Sequence, residues 1–257
     1  LTRDHSVVED LIDAGQLREE DAERHPAAHV VTRAVGTEAD LEVDRMLRAE
    51  LLAARPGYGW LSEESEDGPE RLDAERVFIV DPIDGTRAFI DGQAGFAHAI
   101  AVVERGQVTA AVVHLPARKE VYAAALGQGA TLNGAPIRAR DPAEMADAEV
   151  LTTRPMLDPK HWPGGVPAFR RAYRTAIAWR ISLVGSGQFD ATLTFRPTWE
   201  WDVAAASLIA TEAGAVVTDE TGAALTFNRP NPRVRGIVAA GPGLHAGFMA
   251  RRLEPGT

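Results

Sequence analysis

The 257-residue sequence contains no cysteine, which excludes disulfide bonds, thiolate metal sites and a cysteine nucleophile. Long apolar runs are also missing, since the longest extend over a few residues whereas a membrane-spanning helix needs about 20. The first five residues lack the basic and apolar regions of a signal peptide. These absences predict a cytoplasmic protein without a membrane partner.

Positive charge is scarce as well. The chain has 27 Lys and Arg residues against 37 Asp and Glu residues, a formal net charge of −10. Such a chain exerts no long-range attraction on phosphate backbones, and no stripe rich in Lys and Arg creates one locally. A nucleic acid polymer is therefore not an expected partner. The length and the 45% hydrophobic content are sufficient for one large domain or two small ones.

The pattern of apolar residues predicts a first half that combines helix and sheet. Apolar positions at helical spacing predict a helix over residues 40–54, which Arg55-Pro56-Gly57 ends. Strand-like stretches with short turns predict an antiparallel sheet. They are residues 77–80, 99–103, 108–114 and 121–125, with a hairpin turn at 104–107.

Beyond Pro142 the pattern changes to an alternation of strands and helices. It predicts strands at 181–184, 191–195 and 216–217, and a helix over 202–213. We therefore divide the chain into an N-terminal helical segment (1–36), an α+β half with the antiparallel sheet and the metal-binding residues (37–140), and an α/β half that completes the site (141–257).

The chemistry is expected at Asp81-Pro82-Ile83-Asp84-Gly85-Thr86, directly after the apolar run 77–80. Two carboxylates at positions i and i+3 repel each other unless a cation lies between them, and Mg²⁺ prefers oxygen ligands. If a helix begins near Thr86, the N–H groups of Gly85 and Thr86 can hold a phosphate. The alternative is an ordinary Asp/Pro/Gly turn in which Asp84 caps a helix.

Further acidic residues accompany this turn. Glu63-Glu64 lies upstream and Asp202 lies downstream at a predicted helix start. Taken singly, the first is typical of a solvated acidic loop and the second of a helix N-cap. The sequence resembles the inositol monophosphatase superfamily of Mg²⁺-dependent, lithium-sensitive phosphatases. The resemblance rests on the order of the motifs along the chain, which are residues 62–64, 80–86 and 201–205 and a fourth motif at 37–40.

The resemblance implies an α/β fold, a five-layered α-β-α-β-α sandwich of the inositol monophosphatase and fructose-1,6-bisphosphatase type. It also implies roles for individual residues. A first Mg²⁺ would be held by Glu63, Asp81 and the Ile83 carbonyl. A second Mg²⁺ would be held by Asp81, Asp84 and Asp202, and a third, more weakly bound ion by Glu63. Thr86, oriented by Asp40, would help to activate a water molecule, and the amides of Gly85 and Thr86 would hold the substrate phosphate.

Within the superfamily, residues 84–90 and 198–202 resemble the 3′(2′),5′-bisphosphate nucleotidase branch. This implies hydrolysis of adenosine 3′,5′-bisphosphate to AMP and phosphate, with Arg87 and Glu200 as further substrate contacts. Trp199 and Trp201 either flank a base or pack against the helix. Inositol 1-phosphate and histidinol phosphate are the alternative substrates. The expected partner is a small phosphorylated metabolite, and a homodimer is an allowed assembly.

Residues 1–36 instead resemble a segment of PPM-type protein phosphatases, without that family's metal-binding motifs. The superfamily usually has a lysine shortly before the motif at 37–40, and the nearest base here is Arg33. A second class of function therefore stays open: a catalytically impaired, metal-binding or regulatory protein with the same fold.

Overall fold

The structure, a computed structural model, describes residues 33–142 and 144–253. Its α-helices are α1 (Arg33–Ala54), α2 (Thr86–Ile90), α3 (Ile177–Gly185), α4 (Glu200–Glu212) and α5 (Pro242–Leu253). Its strands are β1 (Gly59–Ser62), β2 (Arg76–Asp84), β3 (Ala97–Glu104), β4 (Gln107–Leu115), β5 (Glu120–Ala125), β6 (Ala130–Leu132), β7 (Ala135–Pro136), β8 (Glu149–Leu151), β9 (Arg170–Ala172), β10 (Ala191–Thr194), β11 (Thr198–Trp199), β12 (Val216–Thr218), β13 (Arg233–Val234) and β14 (Ile237–Ala240). The predicted helical character of residues 1–32 lies outside the described residues.

Strands β1 to β7 form one sheet in sequence order. β1 and β2 are parallel, and every other neighbouring pair is antiparallel. The predicted antiparallel sheet is thus confirmed for β2 to β5. The hairpin between β3 and β4 turns at Arg105 and Gly106, whose φ values of 49° and 84° fit a two-residue turn of the type that matches strand twist.

The second sheet has the order β12-β14-β10-β8-β9. The prediction of a strand at 181–184 is wrong, because these residues belong to α3, in which Ile181, Leu183 and Val184 are all buried. A short apolar run does not distinguish a buried strand from a buried helix, since neither has a polar face to reveal its period. The predictions for 191–195, 202–213 and 216–217 are confirmed within two residues at each end.

The two sheets and the helices stack in five layers. Helices α3 and α4 lie between the sheets, where Ile181 and Leu208 belong to the same buried core as Val103 of the first sheet and Ala239 of the second. Helix α1 packs on the outer face of the first sheet, and α5 packs on the second. The predicted α-β-α-β-α sandwich is confirmed.

Two boundaries bear on the predicted division of the chain. Helix α1 begins at Arg33, seven residues before the predicted start, and continues through residues 36 and 37 without a break. The first sheet ends at Pro136 and the second begins at Glu149, on either side of residue 140.

Among residues 33–142 and 144–253, no helix has both the length and the apolar character needed to cross a bilayer.

Candidate metal centre

A bulge in strand β2 brings Asp81 and Asp84 to one face. Asp81 pairs with Ala99 and Asp84 with Ala97, so three steps along β2 match two steps along β3. In a regular strand, residues i and i+3 point to opposite faces, and one extra residue restores them to the same face. Pro82 fits this irregularity because it has no N–H to donate to a ladder.

Asp84 caps a helix from the other half of the chain. Its two carboxylate oxygens accept hydrogen bonds from the N–H groups of Ile177 (3.1 Å) and Ala178 (2.6 Å), at the start of α3. Burial raises the pKa of Asp84 to about 6, although these two N–H groups and the Arg180 guanidinium lower it and Glu63 raises it further. The alternative interpretation, in which Asp84 caps the helix that follows the turn, is wrong, because that helix has Gly85 as its N-cap and no side-chain cap. The cap that Asp84 does form on α3 is compatible with a second role as a ligand.

Asp81 is the carboxylate with the least compensation. It is 1% exposed, and its Oδ1 atom has no hydrogen-bond partner among the described residues. Burial raises its pKa well above the usual value, and the charges of Glu63, Asp84 and Asp202 raise it further. A buried carboxylate oxygen without a partner costs free energy unless a cation or a proton meets it.

Asp202 reaches the same place from the first turn of α4. Its Oδ2 accepts a hydrogen bond from the N–H of Trp199 at 3.1 Å, which satisfies one of the free donors at this helix start. Burial raises the pKa of Asp202 well above its usual value, with Glu63 and Asp84 adding to the effect. The predicted N-cap position is wrong, because the N-cap is Trp199 and Asp202 is the third helical residue of a capping box.

Glu63 and Asp40 complete the set. Glu63 follows the last residue of β1, and its charge acts on Asp40, Asp81, Asp84 and Asp202. Burial raises the pKa of Asp40 to about 8, with contributions from Glu64 and Glu63, while a hydrogen bond from Thr86 lowers it. The Thr86 hydroxyl also lies 3.1 Å from the Ile83 carbonyl oxygen. Its single proton can serve only one of these acceptors at a time.

Five carboxylates from four separate segments thus lie near the bulge of β2, close enough for their charges to act on one another. Within the described part of the chain, no three His, Asp or Glu side chains surround a single point as a ready ligand cluster. Backbone N–H groups hold both oxygens of Asp84 and one of Asp202. The donors are all hard oxygens, and Asp81 Oδ1 is unsatisfied, so the residues fit a divalent cation such as Mg²⁺.

The turn after the bulge depends on glycine. Gly85 has φ +89°, and a Cβ placed on it would lie 3.1 Å from the carbonyl oxygen of Gly95. α2 begins at the next residue, Thr86. Arg87 lies in this short helix and forms an ion pair with Asp91 at 3.0 Å.

Glu200 is fully buried. Its oxygens accept hydrogen bonds from the N–H groups of Asn228 (2.6 Å) and Arg229 (3.2 Å), and burial raises its pKa to about 7. These contacts tie the start of α4 to a turn of the chain, so Glu200 has a structural function here and its predicted contact with substrate remains untested.

The two tryptophans beside Glu200 stack on each other. The rings of Trp199 and Trp201 are 4.7 Å apart at 12°, and the Arg233 guanidinium lies 3.9 Å from the Trp199 centroid. The Trp199 ring is therefore already engaged by an indole and by a guanidinium, which favours packing over the binding of a base.

Sequence reasoning missed two residues that support the site. Asp44 on α1 is buried and accepts hydrogen bonds from Ser62 and Ser65, on either side of Glu63 and Glu64. Its position four residues after Asp40 was the available signal, since residues i and i+4 share a helix face. Arg180 is a buried cation near Asp84, and nothing in its sequence context distinguishes it.

Both the sequence and the fold resemble those of known proteins. A sequence model of the inositol monophosphatase family matches residues 7–255, well beyond the N-terminal limit that the motifs from Thr37 onward suggested. The inositol-1-monophosphatase of Rhizobium meliloti is 35% identical over 196 residues, 72% of each chain. The 3′-phosphoadenosine 5′-phosphate phosphatase of Mycobacterium leprae is 32% identical over 222 residues, 78% of this chain and 75% of the relative. The crystal structure of the extragenic suppressor protein suhB from Bartonella henselae superposes with a TM-score of 0.72 at 28% identity, covering 85% of this chain and 89% of that one.

Proposed function

The chain belongs to the inositol monophosphatase family, and on that premise we propose that it is a Mg²⁺-dependent phosphomonoesterase whose metal centre is the carboxylate set at the bulge of β2. The observation that carries the proposal is the burial of Asp81 and Asp84 close to Asp202, where the charges of Asp84 and Asp202 raise the pKa of Asp81 and the charge of Asp84 raises that of Asp202. Folding brings such like charges together at a cost, and a resident cation offsets that cost.

Glu63, Asp81, Asp84, Asp202 and the Ile83 carbonyl would hold the metal ions, two or three in number. When bound, Mg²⁺ supplies positive charge to the phosphoryl oxygens and lowers the pKa of water. The unsatisfied Oδ1 of Asp81 is an available oxygen. The carboxylate oxygens of Asp84 can accept a cation on their remaining lone pairs while α3 stays capped, since each oxygen has two.

The protein's own groups orient the reactants. The N–H groups of Gly85 and Thr86 hold the phosphate, and the positive φ of Gly85 allows the backbone to approach it closely. In the proposed site the Thr86 hydroxyl donates its hydrogen bond to Asp40 and not to the Ile83 carbonyl oxygen, and the Thr86 oxygen can then accept a hydrogen bond from the attacking water. Water then forms a bond to phosphorus and gives up one proton, the ester P–O bond breaks, and the leaving alcohol oxygen takes up one proton, so that the products are the alcohol and inorganic phosphate.

For the substrate we propose a 3′-phosphorylated adenosine bisphosphate. The motif at 198–202 supports it, and so does the relative from Mycobacterium leprae, which is named for this activity. Inositol 1-phosphate is the second candidate, because the Rhizobium meliloti relative is an inositol-1-monophosphatase.

The test is phosphate release from adenosine 3′,5′-bisphosphate, inositol 1-phosphate and histidinol phosphate, each with Mg²⁺ and with a chelator. We expect release only with Mg²⁺, inhibition by Li⁺, and the highest kcat/KM for the bisphosphate. No Mg²⁺-dependent release from any of them, with Mg²⁺ binding intact by calorimetry, would favour the regulatory alternative.

A further inference from the structure

A cavity of about 330 Å³ has a basic and aromatic lining. Arg118 lines it from the β4–β5 turn, and Tyr173, Arg174 and Trp179 line it from the segment that enters α3. Residues 93–95, which follow α2, line the opposite side. None of these residues belongs to the carboxylate set at the bulge.

The cavity and the Gly85 turn share their walls. A Cβ placed on Gly85 would lie 3.1 Å from the Gly95 carbonyl oxygen and 3.3 Å from the Ala176 Cβ. Gly95 lines the cavity, and Ala176 directly follows the lining residue Thr175. The cavity therefore adjoins the turn at Gly85, where the reacting phosphate is proposed to lie.

Buried contacts fix the walls in place. Arg180, which is 7% exposed, donates hydrogen bonds to the carbonyl oxygens of Arg174 and Thr175, both at 2.6 Å. The Thr175 hydroxyl donates to the Gly95 carbonyl oxygen and so joins the two sides. A binding site with walls held in this way loses little conformational freedom when a ligand enters.

The lining offers hydrogen-bond donors to an anion. The Arg174 guanidinium lies 5.0 Å from the Phe189 centroid and 5.8 Å from that of Trp179, and such stacking leaves in-plane N–H groups available. Across the described ranges, Arg174 forms no ion pair with a carboxylate, and its guanidinium donates a hydrogen bond to the Tyr173 carbonyl oxygen at 2.7 Å. Arg118 stacks 4.8 Å from the Trp179 centroid but shares its guanidinium with Glu120.

We propose that this cavity binds a second anionic group of the substrate, with Arg174 as the main and Arg118 as the lesser contact. The proposal rests on the proposed function and makes the substrate class a bisphosphorylated metabolite. A chain with a net charge of −10 needs local cations to attract a second phosphate, and two guanidinium groups beside the reacting site supply them.

The test compares adenosine 3′,5′-bisphosphate with adenosine 3′-monophosphate, which share the reacting phosphate and differ in the second one. The wild-type protein should favour the bisphosphate by at least about tenfold in kcat/KM, and Arg174→Gln should remove most of this preference. Arg118→Gln, on a different element, should lower the preference less. Arg171→Gln is the matched control, since Arg171 is exposed and does not line the cavity, and it should keep the wild-type preference.

An equal loss of activity on both substrates in Arg174→Gln would overturn the proposal, because it would indicate a structural role. If the wild-type protein hydrolyses neither substrate, the proposed function fails, and calorimetric titration with AMP still tests the cavity. Weaker AMP binding by Arg174→Gln than by Arg171→Gln supports the anion site, and equal binding by the two variants refutes it.

Discussion

The carboxylate of Asp44 on α1 accepts a hydrogen bond from the Ser62 hydroxyl at 2.5 Å, and its second oxygen accepts one from Ser65 at 2.6 Å. Ser65 also accepts a hydrogen bond from the Trp60 indole N–H at 3.1 Å. The predicted metal ligand Glu63 lies between the two serines. Asp44 therefore holds both ends of the segment that carries Glu63, without belonging to the carboxylate set itself.

Replacement of Asp44 by alanine should weaken Mg²⁺ activation. Hydrogen bonds to a charged group contribute about 1.5–3 kcal/mol each, so we expect the Mg²⁺ concentration for half-maximal activity to rise at least about tenfold. The kcat at saturating Mg²⁺ should change much less, since an added ion restores the position of Glu63. Asp44→Asn, which keeps one acceptor oxygen, should recover part of the affinity. The control is Glu50→Ala, on the exposed side of the same helix. If Asp44→Ala and this control require the same Mg²⁺ concentration for half-maximal activity, Asp44 does not position Glu63.

The turn at Gly85 gives a second prediction. Gly85 has a φ of +89°, and the Cβ that Gly85→Ala adds would lie 3.1 Å from the Gly95 carbonyl oxygen. Gly92 has a φ of +67°, and the Cβ that Gly92→Ala adds would have no atom within 4 Å. Left-handed backbone costs about 1–2 kcal/mol in either variant. Thermal unfolding should therefore show a larger loss of Tm for Gly85→Ala, and its KM should rise as well. Equal losses of Tm in the two variants would show that Gly95 moves aside freely.

The pairing of Asp81 and Asp84 as candidate ligands follows from their local spacing, whereas the arrangement of the two side chains depends on partners far away in sequence. Asp81 and Asp84 stand out as a pair, but the bulge that turns them to one face is a property of the register with β3. The capping of α3 by Asp84 joins residues more than 90 positions apart. No local pattern contains that contact.

Two other residues show where local reasoning fails. Ile181 lies in an apolar run whose period is hidden because every side is buried. Glu200 lies two residues before Asp202 in the same motif, yet its side chain faces the turn at Asn228. Position within a motif predicts the backbone path, whereas the direction of a side chain depends on the surrounding fold.

The pH dependence of stability gives a third prediction. Burial raises the pKa of Asp84 to about 6 and of Asp40 to about 8, above the value of about 3.9 in an unfolded chain. The folded state then binds more protons than the unfolded state between about pH 4 and pH 8, so stability of the metal-free protein falls as pH rises through that window. With a chelator present, Tm should drop by several degrees between pH 5.5 and pH 8.5. Mg²⁺ should raise Tm more at pH 8.5 than at pH 5.5, and a Tm that increases with pH in the chelated protein would contradict the raised pKa values.

The double role of Asp84 gives the last prediction, because substitution by asparagine separates its two functions. Asp84→Asn removes the negative charge but keeps one carbonyl oxygen that can accept the Ala178 N–H, so α3 should remain capped and the protein folded. Loss of one preorganised electrostatic contact at a reacting centre lowers turnover by about 10²–10³-fold, and kcat at saturating Mg²⁺ should fall by at least that lower value. Asp73→Asn removes an exposed carboxylate and should keep wild-type kcat. A folded Asp84→Asn protein with near-normal turnover would show that the metal centre does not use Asp84, because the cap alone requires no charge.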